Sequence, residues 1–204
     1  MNKGRTESGF SLIEALVVIA IILIMVGAAI IQIAPTLKGA KSQTALETTL
    51  GTLRRYHEAA VDQRRIYRVS FIAPRTIQVD QLGYDSSGNQ VFTPISSVNL
   101  PTETQFICVS GIPTASTAVP DGLGDGVTPI DFSLDYGGGG TQVFFQKDGR
   151  ATDSAGRINN GIVYIGQPGS LSASKAVTVL AGTGRVKGWR LTVNSDGTST
   201  WRSL

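Results

Sequence analysis

A long uncharged apolar run near the N-terminus is the feature that most limits what this chain can fold into. Residues 15–31 are 17 consecutive apolar or glycine residues, and no charge lies between Glu14 and Lys38. As a helix, this stretch is long enough to cross a bilayer core of roughly 30 Å. The basic residues Lys3 and Arg5 precede the run. We therefore expect a single membrane pass, with the leader in the cytoplasm and the rest exported.

The composition excludes several classes of protein. The 204 residues include 16% charged and 41% hydrophobic residues, which argues against disorder. One cysteine (Cys108) and one histidine (His57) exclude a disulfide framework and a Cys/His zinc site. A Ser-His-Asp enzyme would have to use His57, and no residue is nominated as its nucleophile. The sequence therefore predicts a protein that is not an enzyme and has no cofactor and no metal.

Glu14 stands at the start of the apolar run, where neither a signal peptide nor a plain membrane anchor explains it. The apolar region of a signal peptide is typically about 7–15 residues, shorter than this run. A carboxylate inside a hydrocarbon segment is unfavourable, by about 2.5–3.5 kcal/mol at the centre of the bilayer. Glu14 is therefore a candidate functional residue that needs a partner of opposite charge.

The residues around Glu14 supply such a partner. Gly9-Phe10-Ser11-Leu12-Ile13-Glu14 resembles the cleavage and methylation motif of type IV prepilins and type II secretion pseudopilins. The resemblance implies that a prepilin peptidase and methyltransferase cuts between Gly9 and Phe10 and methylates Phe10. The new ammonium at Phe10 would pair with Glu14 of a neighbouring subunit, because unpaired charges are strongly unfavourable in an apolar filament core.

The chain after the apolar run changes from helical to strand periodicity. Residues 38–65 predict an amphipathic helix, whose apolar stripe is Leu46, Leu50, Leu53, His57 and Ala60. On this stripe we expect His57 to be a packing residue. Pro35 removes one backbone donor, which allows a bend without fixing its position. Alternating runs separated by turn signals predict nine strands: Tyr67–Ile72, Thr76–Val79, Gln105–Val109, Ile130–Leu134, Gln142–Gln146, Gly161–Ile165, Ala176–Leu180, Trp189–Val193 and Thr198–Trp201.

These elements predict an α+β fold in which a long N-terminal helix packs on antiparallel β-sheets; with the N-terminal motif, this is a pilin-like fold. We divide the chain into a cleaved leader (1–9), a transmembrane and assembly helix (10–37), an amphipathic helical half (38–66) and a β-rich periplasmic domain (67–204). The resemblance implies a bacterial inner-membrane location.

Two turns in the second half narrow the resemblance. Residues 143–150 (VFFQKDGR) and 184–187 (GRVK) resemble turns of the H-type minor pseudopilins and related minor pilins, the GspH/FimT family. The resemblance implies a minor pseudopilin of type II secretion, with a minor type IV pilin as the alternative. Expected partners are other pseudopilins or pilins, and a secreted cargo is a further candidate. Unlike many relatives, the chain continues through residues 188–204, which predict another hairpin.

Three other features receive weaker interpretations. Arg185, Lys187 and Arg190 form a small basic patch that is a candidate contact for DNA or a protein, although DNA is the less expected partner. The glycines around them suggest a hairpin turn and not a phosphate loop. Asp121 and Asp125 are too few for a calcium loop and predict a polar loop. Cys108 is expected to be a buried apolar residue in a strand.

Overall fold

The structure is a computed structural model that describes residues 11–137 and 139–204, with side chains described outside residues 28–37. The chain divides into two compact units, Met1–Leu37 and Lys38–Leu204. Helix α1 is assigned from Leu12 to Asp62, and the backbone at Pro35 is helical. Among the residues whose side chains are described, no helix is both long enough and apolar enough to span a membrane.

Helix α1 ends three residues earlier than the sequence predicts. Arg64 has a left-handed backbone with φ of 52°, and the Arg65 amide donates to the Ala60 carbonyl at 3.2 Å. The Arg64 amide donates to Val61 at 3.3 Å. This pair of bonds is the Schellman arrangement, which satisfies the last carbonyls and stops the helix.

Two antiparallel sheets follow the helix. The first sheet has the order β3-β2-β1-β6-β7, with strands β1 (Tyr67–Ile72), β2 (Thr76–Tyr84), β3 (Gln90–Asn99), β6 (Gln142–Phe145) and β7 (Ala151–Thr152). The second has the order β11-β10-β9-β8-β4, with β5 also paired to β8, and its strands are β4 (Gln105–Phe106), β5 (Ile130–Asp131), β8 (Gly161–Gln167), β9 (Ser170–Leu180), β10 (Arg185–Val193) and β11 (Ser199–Ser203). The predicted α+β arrangement is confirmed.

Several strand predictions differ from the structure, and strands β2, β9 and β10 are longer than predicted. Strand β3 was not predicted, because it is an edge strand with no fully buried residue and contains Pro94. Strands β4 and β5 are two residues each, far shorter than predicted, and each pairs with a different part of β8. Strand β7 is too short to show a sequence pattern. The predicted C-terminal hairpin is present as β10 and β11, with Leu191 opposite Trp201.

The apolar stripe of α1 packs into a core that includes side chains of both sheets. Ala45, Leu46, Leu53 and Ala60 are fully buried there, and Leu50 packs at its margin. Because side chains alternate along a strand, the opposite face of the second sheet forms a separate apolar cluster around Tyr164. That cluster is covered from the chain between β4 and β5, by Ile112, Cys108 and Val109.

His57 is the point where the helix meets a turn from each sheet. Its Nε2 atom lies 2.9 Å from the Gly149 carbonyl oxygen, in the turn between β6 and β7, so Nε2–H donates there. Its ring packs edge-on against Phe145, with centroids 5.4 Å apart. Gly184, between β9 and β10, approaches so closely that a Cβ there would overlap both the Gly149 oxygen and His57 Nε2. These contacts agree with the packing role that the sequence predicts for His57.

We expect Gly184→Ala to lower the free energy of unfolding by about 3 kcal/mol, measured by thermal or denaturant unfolding of the full chain in detergent. About 1–2 kcal/mol comes from the left-handed backbone and the rest from overlap. Gly184 has φ of 64°, and the matched control Gly197 has φ of 82° with open space around it. Gly197→Ala should therefore show the backbone effect alone. Equal losses in the two variants would contradict the three-way contact.

Candidate functional site

The N-terminal candidate site is described at Glu14, while Gly9 and Phe10 lie outside the described residues. The amides of Glu14 and Ala15 donate to the Ser11 carbonyl at 3.0 and 3.1 Å, which begins the helix. Glu14 lies in the first turn of α1. Its carboxylate therefore faces the positive end of the helix dipole, a favourable position for a negative charge.

The helix around Glu14 exposes apolar side chains on all sides. Every described side chain from residue 11 to residue 27 is exposed, and the large aliphatic ones range from 45% (Val18) to 81% (Leu12). A helix that is apolar all round is stable only when lipid or protein covers it. Covering it would also surround the Glu14 carboxylate with apolar groups, where a free charge is strongly unfavourable.

Two residues of the predicted basic patch face a carboxylate. Asp121 Oδ1 lies 3.3 Å from Lys187 Nζ and 4.0 Å from a terminal nitrogen of Arg185. Asp121 Oδ2 accepts a hydrogen bond from the Thr178 hydroxyl at 2.8 Å. The Lys187 ammonium also lies 4.1 Å from the centre of the Trp189 ring, whose Nε1–H donates to Thr178 Oγ1. Lys187 is thus held in a network on one face of the second sheet.

The structure does not bring Arg190 to the other two basic residues. Side chains alternate along β10, so Arg190 lies on the same face as Gly188 and on the opposite face from Arg185 and Lys187. Gly188 faces the helix, because a Cβ on it would lie 2.7 Å from a methyl carbon of Leu50. The three cations therefore do not form one patch.

The contact of Asp121 with Lys187 was not predicted from the sequence. Asp121 lies 66 residues before Lys187, in a short 3-10 turn (Pro120–Gly122), and has φ of 52°. Its flanking proline and glycine predict a turn but do not indicate what the carboxylate contacts. A contact between residues this far apart depends on the path of the loop across the sheet. No local sequence pattern predicts that path.

Asp125, the other acidic residue of this loop, is engaged in a turn of its own. One carboxylate oxygen accepts from the amides of Val127 and Thr128, at 2.8 and 2.7 Å, and the other accepts from the Thr128 hydroxyl. Burial acts to raise the pKa of Asp125, but these hydrogen bonds outweigh it and hold the pKa below its usual range. Within residues 11–137 and 139–204, no group of three or more His, Cys, Asp or Glu side chains is arranged to hold a metal ion.

Cys108 is half-buried and lies beyond the end of β4, whereas the sequence predicted a buried position within a strand. It packs against the apolar cluster around Tyr164. Burial, with a smaller contribution from the charge of Asp125, raises the pKa of the thiol to about 12. A thiol of that kind stays protonated and unreactive near neutral pH.

Comparison with known proteins identifies the class of the N-terminal segment. Residues 4–30 match the prokaryotic N-terminal methylation motif, which is 27 of the 204 residues. The chain therefore carries a prepilin-type methylation motif, and the predicted resemblance at the N-terminus is confirmed.

A solved structure gives a more particular likeness. The chain is similar to the minor pseudopilin EpsH from the Type 2 Secretion System of Vibrio cholerae, at 15% identity and a TM-score of 0.35. The match covers 80% of this chain and 96% of that chain. A search of curated proteins gives no match.

We expect Asp121→Asn to lower the free energy of unfolding by about 1–2 kcal/mol, because it removes a partly buried charge-assisted contact. Unfolding can be followed by the fluorescence of Trp189, which shares the network. Arg185→Gln should change stability by less than about 0.5 kcal/mol, because Arg185 is 57% exposed and 4.0 Å away. Glu58→Gln, an exposed charge on α1, is the control for net charge. If Asp121→Asn and Glu58→Gln behave alike, the network does not hold the loop.

Proposed function

We propose that this protein is a minor pseudopilin of a type II protein secretion system, assembled through its N-terminal helix into a periplasmic pseudopilus. The observation that carries the proposal is the methylation motif at residues 4–30, which includes the start of a helix whose apolar side chains are exposed from Leu12 to Val26. Such a helix needs a cover, and both a membrane and a filament core provide one. No described cluster of side chains favours a catalytic role over this structural one.

Processing prepares the chain for assembly in this proposal. The peptidase cuts after Gly9, and the Phe10 amine becomes a new positive charge four residues before Glu14. Residues 10–37 lie in the inner membrane before assembly, and residues 67–204 lie in the periplasm. In the filament, Glu14 pairs with the methylated Phe10 amine of a neighbouring subunit. The pair removes two unpaired charges from an apolar core, where breaking such a pair costs about 3–5 kcal/mol.

The assignment to the H-type rests on the two turns that resemble this subunit class. The glycine of each turn, Gly149 and Gly184, lies against His57 of the helix, so the two turns share one packing contact. The shared contact at His57 gives a structural reason for a glycine to occur in both turns. The alternative is a minor type IV pilin, which would join a type IV pilus instead of a pseudopilus.

The first prediction of this proposal concerns the mature N-terminus. Mass spectrometry of the protein from its native membrane should show a chain that begins at N-methylated Phe10. Gly9→Leu should leave most of the chain unprocessed, because a side chain at that position obstructs the peptidase. Gly27→Ala, a small change within the apolar run and with open space around it, should be processed normally. An unmodified N-terminus at Met1 in the wild type would refute the proposal.

The second prediction concerns Glu14. Glu14→Gln should insert and be processed, but its incorporation into filaments should fall at least about tenfold, because the Phe10 ammonium then lacks its partner. Glu47→Gln, an exposed carboxylate of α1, is the matched control. Co-purification with the filament fraction measures the effect. Normal incorporation of Glu14→Gln would remove the charge-pair mechanism.

Crosslinking in the native membrane, followed by mass spectrometry, distinguishes the two kinds of filament. Neighbours that are secretion pseudopilins support the proposed subunit. Neighbours that are pilins of a retractable pilus support the alternative.

A further inference from the structure

Three cations lie in a row across the second sheet. Arg190 on β10 is directly opposite Lys175 on β9 and directly opposite Arg202 on β11. Residues that are directly opposite one another in an antiparallel sheet project from the same face. Neighbouring strands are about 4.8 Å apart, so the backbone positions of the three cations span roughly 10 Å.

This row is unfavourable for the folded chain by itself. Like charges directly opposite each other on neighbouring strands are destabilising. Lys175 is only 9% exposed, while Arg190 and Arg202 are exposed. Burial and the nearby charge of Arg190 both lower the pKa of the Lys175 ammonium. The arrangement therefore lacks what usually stabilises a buried cation, which is a nearby anion.

The described part of the chain supplies no such anion. Its ion pairs within 4.0 Å are Lys41–Glu103, Arg68–Asp80, Arg150–Asp148, Arg157–Asp153, and Asp121 with Arg185 and with Lys187. None includes a member of the row. Glu47 on α1 instead accepts a hydrogen bond from Gln43 Nε2 at 3.0 Å.

The row ends at an open edge of the sheet. Strand β11 (Ser199–Ser203) is the outermost strand, paired on one side with β10. Alternate backbone N–H and C=O groups of an edge strand point away from the sheet and can bind a further extended segment. A side chain of that segment opposite Arg202 would continue the row on the same face.

We propose that β11 binds an extended acidic segment of a partner protein as an added strand, with an Asp or Glu side chain opposite Arg202. Its carboxylate lies beside Arg202, in the positive field of the row, and its backbone pairs with the free edge of β11. This inference goes beyond the proposed function, because it holds for any partner with this chemistry.

A nucleic acid fits this face less well. Trp189 and Trp201 occupy the opposite face of the sheet, where they pack against the cluster around Tyr164. The row therefore lacks the aromatic platform on which single-stranded bases stack.

The test uses the full chain in detergent micelles and a labelled peptide of about twelve residues that alternates Glu and Thr. Fluorescence anisotropy gives the Kd, and amide hydrogen exchange reports on residues 199–203. We expect Arg190→Gln and Arg202→Gln to weaken binding at least about tenfold. Arg185→Gln, which removes the same charge from the opposite face of β10, should weaken it less than about twofold. Bound peptide should slow exchange at β11.

Stability separates binding from a folding defect. Arg190→Gln should melt at or above the wild-type temperature, because it removes a repulsion. A lower melting temperature would show that the row is compensated within the protein and would overturn the proposal. So would equal loss of binding in Arg185→Gln, unchanged exchange at β11, or no binding at millimolar peptide. Tighter binding of an oligothymidine of equal charge, lost in Arg190→Gln, would assign the row to nucleic acid instead.

Discussion

The packing of one helical stripe against two sheets is the interaction on which the folded unit from Lys38 to Leu204 depends. Leu46 and Leu53 are fully buried in a core that also holds side chains from both sheets. The core continues to His57, where a turn of each sheet comes within contact distance of one imidazole. Because protein interiors are close-packed, this junction leaves no room for an extra methyl group at Gly184. The spacing of apolar residues along α1 thus fixes where both sheets can lie.

Most of the fold could be predicted from periodicity, and the errors have physical causes. Strand β1 has the predicted bounds, because Tyr67–Ile72 alternates and is bounded by turns. Strand β3 was missed because none of its residues is fully buried, and burial of one face is what produces the alternation that predicts strands. The end of α1 was missed because it depends on the left-handed backbone of Arg64, a conformation that arginine rarely adopts.

The candidate sites also divide into those that local sequence predicts and those that depend on distant contacts. The N-terminal motif is local, so its six consecutive residues were enough to predict it. The contact of Asp121 with Lys187 joins a loop to a distant strand and could not be predicted locally. The separation of Arg190 from Arg185 and Lys187 was missed because the predicted strand began at Trp189 and left Arg185 and Lys187 in a turn. Strand β10 begins at Arg185, and residues an odd number of positions apart on one strand lie on opposite faces.

The single thiol has a practical consequence for mapping assemblies of this protein. Burial raises the pKa of Cys108 to about 12, so very little of the reactive thiolate is present near neutral pH. Maleimide reagents will therefore label the native protein slowly. Cysteines introduced at exposed sites on β3 or β11 would react far faster. Cys108 should therefore contribute little to site-specific disulfide trapping or spin labelling, and these experiments do not require its prior removal.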